Sequence, residues 1–280
     1  MQALPQSLLN SVERSRENSR LKRLTKLQAD CSRLGMFDAS QLHAALDDPN
    51  VAEHYQQWAK RIDELRITAL AGGVNRGDRR ALFHLIAAFK PDEVLEIGTH
   101  IGASTVYLAS ALASRPGAAA PTGRLTTVDI IDVNDPAAKP WLRSGSPCSP
   151  RDLLARLELD WAVEFIAQPS LTYLSGAERK FDLIFLDGDH SAATVYQEVP
   201  KALRCLNPGG LILLHDYFPN GKPLWSNKLV RLGPWLALNR LAEEGCELRV
   251  VPFGELPWET KLGSSRSSLA LISSGQSPVA

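Results

Sequence analysis

The stretch FDLIFLDGDH, residues 181–190, decides the fold. It opens on six residues that are apolar except for Asp182, a run that suits a strand buried on both faces. It closes on Asp187, Gly188, Asp189 and His190. Charge buried without a partner is costly, so this cluster belongs where a strand leaves the core. In an open parallel sheet, that edge is where ligands bind.

Similar runs flank it. EVLEI (93–97), RLTTVDI (124–130) and VEFIA (163–167) precede it, and LILLHD (211–216), ELRVVPF (247–253) and SLALIS (268–273) follow. Helical stretches such as RRALFHLIAAF (79–89) and STVYLASALAS (104–114) lie between them. Strands alternating with helices predict an α/β fold with a doubly wound, mostly parallel sheet. The helix after Ser191 places Val195, Val199, Ala202 and Leu206 on one face, and Pro200 predicts a kink or break in it.

Residues 1–76 have a different pattern, helical and without strand candidates. Leu21, Leu24 and Leu27 recur at helical spacing among Arg16, Arg20, Lys22, Arg23 and Lys26, and Asn50 is placed to cap a helix through Trp58, Ile62 and Leu65. This divides the chain into an N-terminal helical region, 1–76, suited to homodimer formation or to a lid, and an α/β domain, 77–280. Residues 132–150, rich in Pro, Ser and Gly, read as a long loop.

Composition narrows the function. The 280 residues are 44% hydrophobic and 22% charged, with 31 basic and 31 acidic side chains and a net charge of zero. That balance suits a soluble globular protein and argues against a dedicated nucleic-acid binder. Cys31, Cys148, Cys205 and Cys246 are far apart, which suggests neither a zinc site nor a disulfide framework and points to a reducing cytoplasm. No stretch reads as a signal peptide or a membrane span.

EVLEIGTHIGAST forms a strand, a turn and a helix start. Gly98 permits a tight turn, Gly102 permits close approach of a ligand, and Ser104 lies in the first helical turn. The spacing is not that of the dinucleotide fingerprint. Glu96, at the strand end, is badly placed for a pyrophosphate and suits a cationic group. Asp129, at the tip of the next strand, suits a ribose diol. A nucleoside joined to a cation, without phosphates, describes S-adenosylmethionine.

With EVLEIGTHIGAS, LTTVDI, AQPS, FDLIFLDGDH and NPGGLILLHDY together, the chain resembles the class I S-adenosylmethionine-dependent methyltransferases over residues 77–273. It looks most like the small-molecule O-methyltransferases related to catechol, macrolide-sugar and cephalosporin-pathway enzymes. The resemblance implies a Rossmann-like sheet of seven strands, one of them reversed, with SLALIS as the reversed strand. It also implies that Glu96, Gly98, Thr99, Gly102 and Ser104 hold the methionine end of the cofactor. Asp129 would hold the ribose, Ser170 would lie beside the adenine, and Asp187 would also bind the cofactor.

In that fold FDLIFLD and LILLHD are neighbours, so Asp187 and Asp216 converge, and a hard cation such as Mg2+ would relieve their repulsion. His190, three residues after Asp187, is the expected general base. Tyr217 stands where the resemblance places a third metal ligand, with Asp189 or a water as its substitute. Asp216 binding the substrate without a metal is the alternative, and His215 reads as a packing or hydrogen-bonding residue. Trp141, Trp225 and Trp258 lie in loops on one sheet edge and suggest an aromatic pocket for a sugar, phenolic or natural-product acceptor. The competing readings are N-methyl transfer, a noncatalytic S-adenosylmethionine-binding protein and an NAD(P)-dependent oxidoreductase.

Overall fold

Seven strands form one sheet: β1 (Glu93–Ile97), β2 (Arg124–Asp129), β3 (Val163–Ala167), β4 (Phe181–Leu186), β5 (Leu206–Leu214), β6 (Leu248–Pro252) and β7 (Ala270–Ser274). The structure, a computed structural model, describes residues 6–67, 73–114 and 123–275. The expected N-terminal helical region, 1–76, and α/β domain, 77–280, each include residues outside that range.

The strand order is β3-β2-β1-β4-β5-β7-β6. Pairs among β1 to β5 are parallel, and β7 runs antiparallel between β5 and β6. SLALIS is therefore the reversed strand, starting at Ala270. From β1 the chain winds outward through β2 and β3, then returns to place β4 on the other side of β1. The order reverses between β1 and β4, and a crevice opens there at the carboxyl ends of the strands.

Alternation builds the two faces. Leu183 and Phe185 of β4 point into one buried cluster, and Ile184 and Leu186 into another. Each such side chain stabilises the fold by roughly 1.5–3 kcal/mol through burial. The first cluster is covered by α4 (Arg76–Phe89), α5 (Ala103–Ala113) and α7 (Pro150–Arg156), the second by α8 (Ser170–Gly176), α9 (Ala192–Arg204) and α10 (Gly233–Glu243).

The N-terminal helices share these cores. Leu42 and Leu46 of α2 (Ala39–Asp47), with Val51, Tyr55 and Ile62 of α3 (Pro49–Glu64), join the cluster of α4 and α5. Leu21 of α1 (Gln6–Lys22) joins the cluster of α9 and α10. Asp48, not Asn50, caps α3, accepting from the Asn50 and Val51 N–H groups at 2.8 and 3.3 Å, with Pro49 in the first helical turn. Helix α1 ends at Lys22, so Leu24 and Leu27 lie beyond it.

Two further expectations change. Helix α9 continues through Pro200, and Leu206 begins β5 rather than extending the helix. Residues 132–150 contain a short helix, α6 (Pro140–Arg143), and near their end Ser149 caps α7 in a capping box, with Pro150 its first residue. Among the described residues, no helix is long and apolar enough to cross a membrane.

Candidate active site

A cavity of about 520 Å³ opens where β1 and β4 diverge, within the range of small-molecule sites. Gly98, Asp129, Ser170, Asp187 and His190 line it. Glu96, Thr99, Gly102 and Ser104 do not. Glu96 is fully buried beneath the turn, accepting hydrogen bonds from Ser104 Oγ at 2.5 Å, Thr105 Oγ1 at 2.6 Å and Thr127 Oγ1 at 2.7 Å. Thr99 Oγ1 lies 2.6 Å from Thr127 Oγ1 and extends the chain of hydroxyls. A carboxylate with its lone pairs directed inward braces the turn instead of facing a cation. Gly102 faces Pro150, whose Cβ would lie 2.8 Å from an added Cβ, so its close approach serves packing.

Burial pushes the Glu96 carboxyl up to about 7; the three hydroxyls oppose this and the nearby Asp187 charge adds to it. Glu198 on α9 is similar. It is buried, pushed up to about 7 chiefly by burial, and accepts a 2.5 Å hydrogen bond from Ser170 Oγ. Both acids bind protons more tightly folded than unfolded, so stability declines as pH rises from about 4.5 to about 7. The expected loss is on the order of 3 kcal/mol for each group. Urea denaturation across that interval checks it, and Glu198→Gln, which keeps an acceptor for Ser170, is expected to flatten the decline.

Asp129, at the tip of β2, accepts the His100 N–H at 2.9 Å through Oδ2. Ser170 gives its only hydroxyl proton to Glu198, leaving oxygen lone pairs as its acceptor capacity. His100, Gln168 and Leu171 also line the cavity, as does Ile130, whose side chain is 72% exposed at the rim. Sequence reasoning missed these residues. Glu198 had a usable signal, an acid within the apolar stripe of Val195, Val199 and Ala202.

Asp187 and His190 line the cavity, and His190 lies close to both Asp187 and Asp216. His190 Nε2 lies 3.8 Å from Asp187 Oδ1 and 3.6 Å from Asp216 Oδ2. Asp216 has a left-handed backbone, φ +52°. Burial raises its carboxyl, but His215, His190, Lys261 and Arg231 outweigh that and lower it. His190, with Gly188 and Asp189, also lines a second cavity of about 310 Å³ beside Glu13, Glu17 and Arg231. The imidazole thus stands between two spaces.

His215 enters this group as well. Its Nδ1 lies 2.8 Å from Asp187 Oδ1 and its Nε2 3.5 Å from Asp78 Oδ2. Burial disfavours its protonation, but the carboxylates of Asp187 and Asp216 prevail and hold its pKa well above the ordinary value. Asp187, His190 and His215 each present a ligand atom within 4.8 Å of the others. Tyr217 turns away into the core, and its N–H donates to Ser268 O at 2.8 Å. Asp189 accepts from Ser191 N at 2.9 Å and Thr194 Oγ1 at 2.7 Å at the start of α9. Neither completes a metal site. An imidazole beside the two carboxylates is a poor fit to Mg2+, which favours oxygen ligands in octahedral geometry.

The three tryptophans do not share a pocket. Trp141 packs with Ile101 and Ala103, Trp225 against Phe218 under Lys261, and Trp258 against His84 with its Nε1 donating to Gly77 O at 2.9 Å.

Residues 95–217 match the family model described as a methyltransferase domain. No curated protein matches the chain in sequence. Among solved structures it is similar to the cofactor-bound protein Rv0187 from MTB, with 22% identity, a TM-score of 0.53, and 86% of this chain and 100% of that one covered. It is also similar to the O-methyltransferase TomG from Streptomyces achromogenes in complex with SAM, with 18% identity, a TM-score of 0.52, and 89% and 100% covered. The O-methyltransferase from Bacillus cereus in complex with SAH gives 19% identity, a TM-score of 0.51, and 85% and 97% covered. At these identities the structures establish a shared fold.

Proposed function

We propose that the chain is an S-adenosylmethionine-dependent O-methyltransferase acting on a small hydroxylated molecule, a reading supported by the match of residues 95–217 to a family model described as a methyltransferase domain. The observation that carries this reading is His190, which borders both the larger cavity, lined also by Asp129 and Ser170, and the smaller one. The adenosyl group lies in the larger cavity, with its ribose at Asp129. Ser170, oriented as an acceptor by Glu198, suits the amino group of adenine. The acceptor hydroxyl approaches from the second space.

The step is a displacement. His190 takes the hydroxyl proton, the oxygen forms a bond to the methyl carbon, and the carbon–sulfur bond breaks to leave the neutral thioether of S-adenosylhomocysteine. Positioning carries much of the rate, since both reactants are held beside one base. The carboxylates of Asp187 and Asp216 stand within 4 Å of His190 Nε2. No step is assigned to Mg2+.

S-adenosylhomocysteine release, screened over hydroxylated small molecules, tests the reading. Turnover with one or more of them is the expected result. Binding of NAD(P) instead of S-adenosylhomocysteine, or methylation confined to amines, would overturn it. Asp129→Ala is expected to weaken S-adenosylhomocysteine binding by about 10- to 100-fold, as loss of charge-assisted hydrogen bonds to the ribose implies. Isothermal titration calorimetry reads that change directly.

A further inference from the structure

Glu198 is an acid where packing alone calls for an apolar residue. It shares a stretch of α9 with Val195, Val199 and Ala202, all in the buried cluster on that side of the sheet, and is itself 1% exposed. Among the described residues no Lys, Arg or His pairs with it, and the charge that reaches it is the like charge of Asp189. A buried carboxyl without a cation is costly to ionise. A glutamine would satisfy Ser170 Oγ without that cost.

The ionisable groups that face α9 from its neighbours are engaged elsewhere. On α1, Glu17 accepts from Ala192 N and from Arg20. On α10, Arg240 pairs with Glu244 at 2.8 Å beside Tyr196. Lys201 of α9 donates to Ser175 Oγ of α8, and Tyr173 of α8 lies near Glu164 and Arg179. Strand β5 carries no charged side chain. Glu198 is left with Ser170.

What the carboxylate does for Ser170 is directional. The serine has one hydroxyl proton, and an ionised carboxylate only accepts. The 2.5 Å hydrogen bond to Glu198 Oε1 commits that proton inward, so the oxygen offers lone pairs to the cavity that Ser170 lines. An amide or a water also has donors, and would leave the hydroxyl free to point either way. Purines differ in the matching respect: the C6 amino group of adenine donates, and the C6 oxo group of hypoxanthine accepts.

We propose that Glu198 is a positioning residue that selects an amino-bearing purine through Ser170 and gives up a proton to solvent when the adenosyl group binds. The inference rests on the methyl-transfer reading for its ligand and deepens it. Burial pushes the Glu198 carboxyl up to about 7, so a large share of it is protonated at neutral pH. The protonated acid can donate to Ser170 Oγ, which then turns its own proton outward. An adenine amino group donating to Ser170 Oγ favours the other state, with the serine proton inward and the carboxyl ionised. Binding therefore favours the carboxylate, and affinity falls as pH drops through about 7.

The test titrates the full chain with S-adenosylhomocysteine and, separately, with S-inosylhomocysteine, its 6-oxo analogue, by isothermal titration calorimetry. The adenosyl ligand is expected to bind about 10- to 100-fold more tightly at about pH 8. Its affinity is expected to fall about three- to tenfold toward about pH 6, with the released proton read from the dependence of the heat on the buffer. Glu198→Gln is expected to flatten that profile and to narrow the preference to below about threefold, since the amide can turn either its oxygen or its NH2 group to Ser170. Ser170→Ala, which leaves α9 intact, is expected to narrow the preference in the same way. The other ionisable groups of the cavity, Asp129, Asp187, Asp189, His100 and His190, are common to all three proteins, so the difference between the profiles belongs to the Ser170–Glu198 pair. Thermal unfolding checks that both variants fold.

Equal affinity for the two ligands in the unaltered protein would overturn the proposal, as would an unchanged preference and pH profile in Glu198→Gln. Either result, obtained with tight adenosyl binding, leaves the methyl-transfer reading standing. Absence of binding by both ligands would remove that reading and the proposal with it.

Discussion

His190→Ala is expected to lower kcat for methyl transfer by about 10²- to 10⁴-fold, the usual contribution of a positioned general base. S-adenosylhomocysteine affinity should change by no more than about twofold, because a group acting on the transferred proton contributes little to ground-state cofactor binding. The expectation follows from position. His190 lines both cavities, and its Nε2 sits within 4 Å of Asp187 and Asp216. Stopped-time product release gives kcat, and calorimetry gives the affinity. A variant that turned over normally would remove His190 as base. One that lost cofactor binding and turnover together would make it a structural residue of the cavity. His190→Gln keeps a polar side chain of similar reach and should be as inactive as the alanine variant, since an amide cannot take up the proton at neutral pH.

The sheet and the acidic edge were legible because each depends on a local pattern. The apolar run 181–186 could only be a buried strand, and the charges after it had to emerge at a sheet end. Reversal of the last strand came from the family resemblance and not from periodicity. The burial of Glu96 was not legible. Its position suggested a cation partner, but Ser104, Thr105 and Thr127 supply three hydroxyls from two other elements, and only the assembled turn brings them together. His215 was hidden for a related reason. The carboxylate behind its ring, Asp78, comes from α4, more than a hundred residues earlier in the chain, and only the assembled fold brings the two together. The tryptophan pocket failed because sharing a sheet edge does not place side chains in one space. Each ring found a nearer partner. The helix caps show the same limit at smaller scale: Asp48 and Asn50 are both competent caps, and Pro49 between them decides in favour of Asp48.

Gly98→Ala is expected to destabilise the fold by about 3 kcal/mol and to abolish cofactor binding, the larger effect of any single methyl group at the site. The residue leaves β1 with φ +101°, a conformation that costs a side chain roughly 1–2 kcal/mol on its own. An added Cβ would also stand 2.3 Å from the Asp187 carbonyl oxygen and 2.7 Å from its carbon. Those are backbone atoms, pinned by the Asp187 N–H donating to Ile97 O at 2.9 Å and by the Gly98 N–H donating to Val128 O at 2.8 Å. Relief therefore requires β1 and β4 to separate where Asp187 emerges, which displaces the carboxylate from His215 and His190. Gly188→Ala is the matched comparison. Its Cβ would meet the Ile97 Cγ2 methyl at 3.1 Å, a side-chain end that can shift, so the expected cost is below about 1 kcal/mol. Thermal unfolding of the two variants, with S-adenosylhomocysteine titrations on each, measures the contrast. Equal stability in the two would mean that the β1 turn yields more readily than its hydrogen bonds imply, and the close approach of Gly98 to Asp187 would then not be what holds the two halves of the site in register.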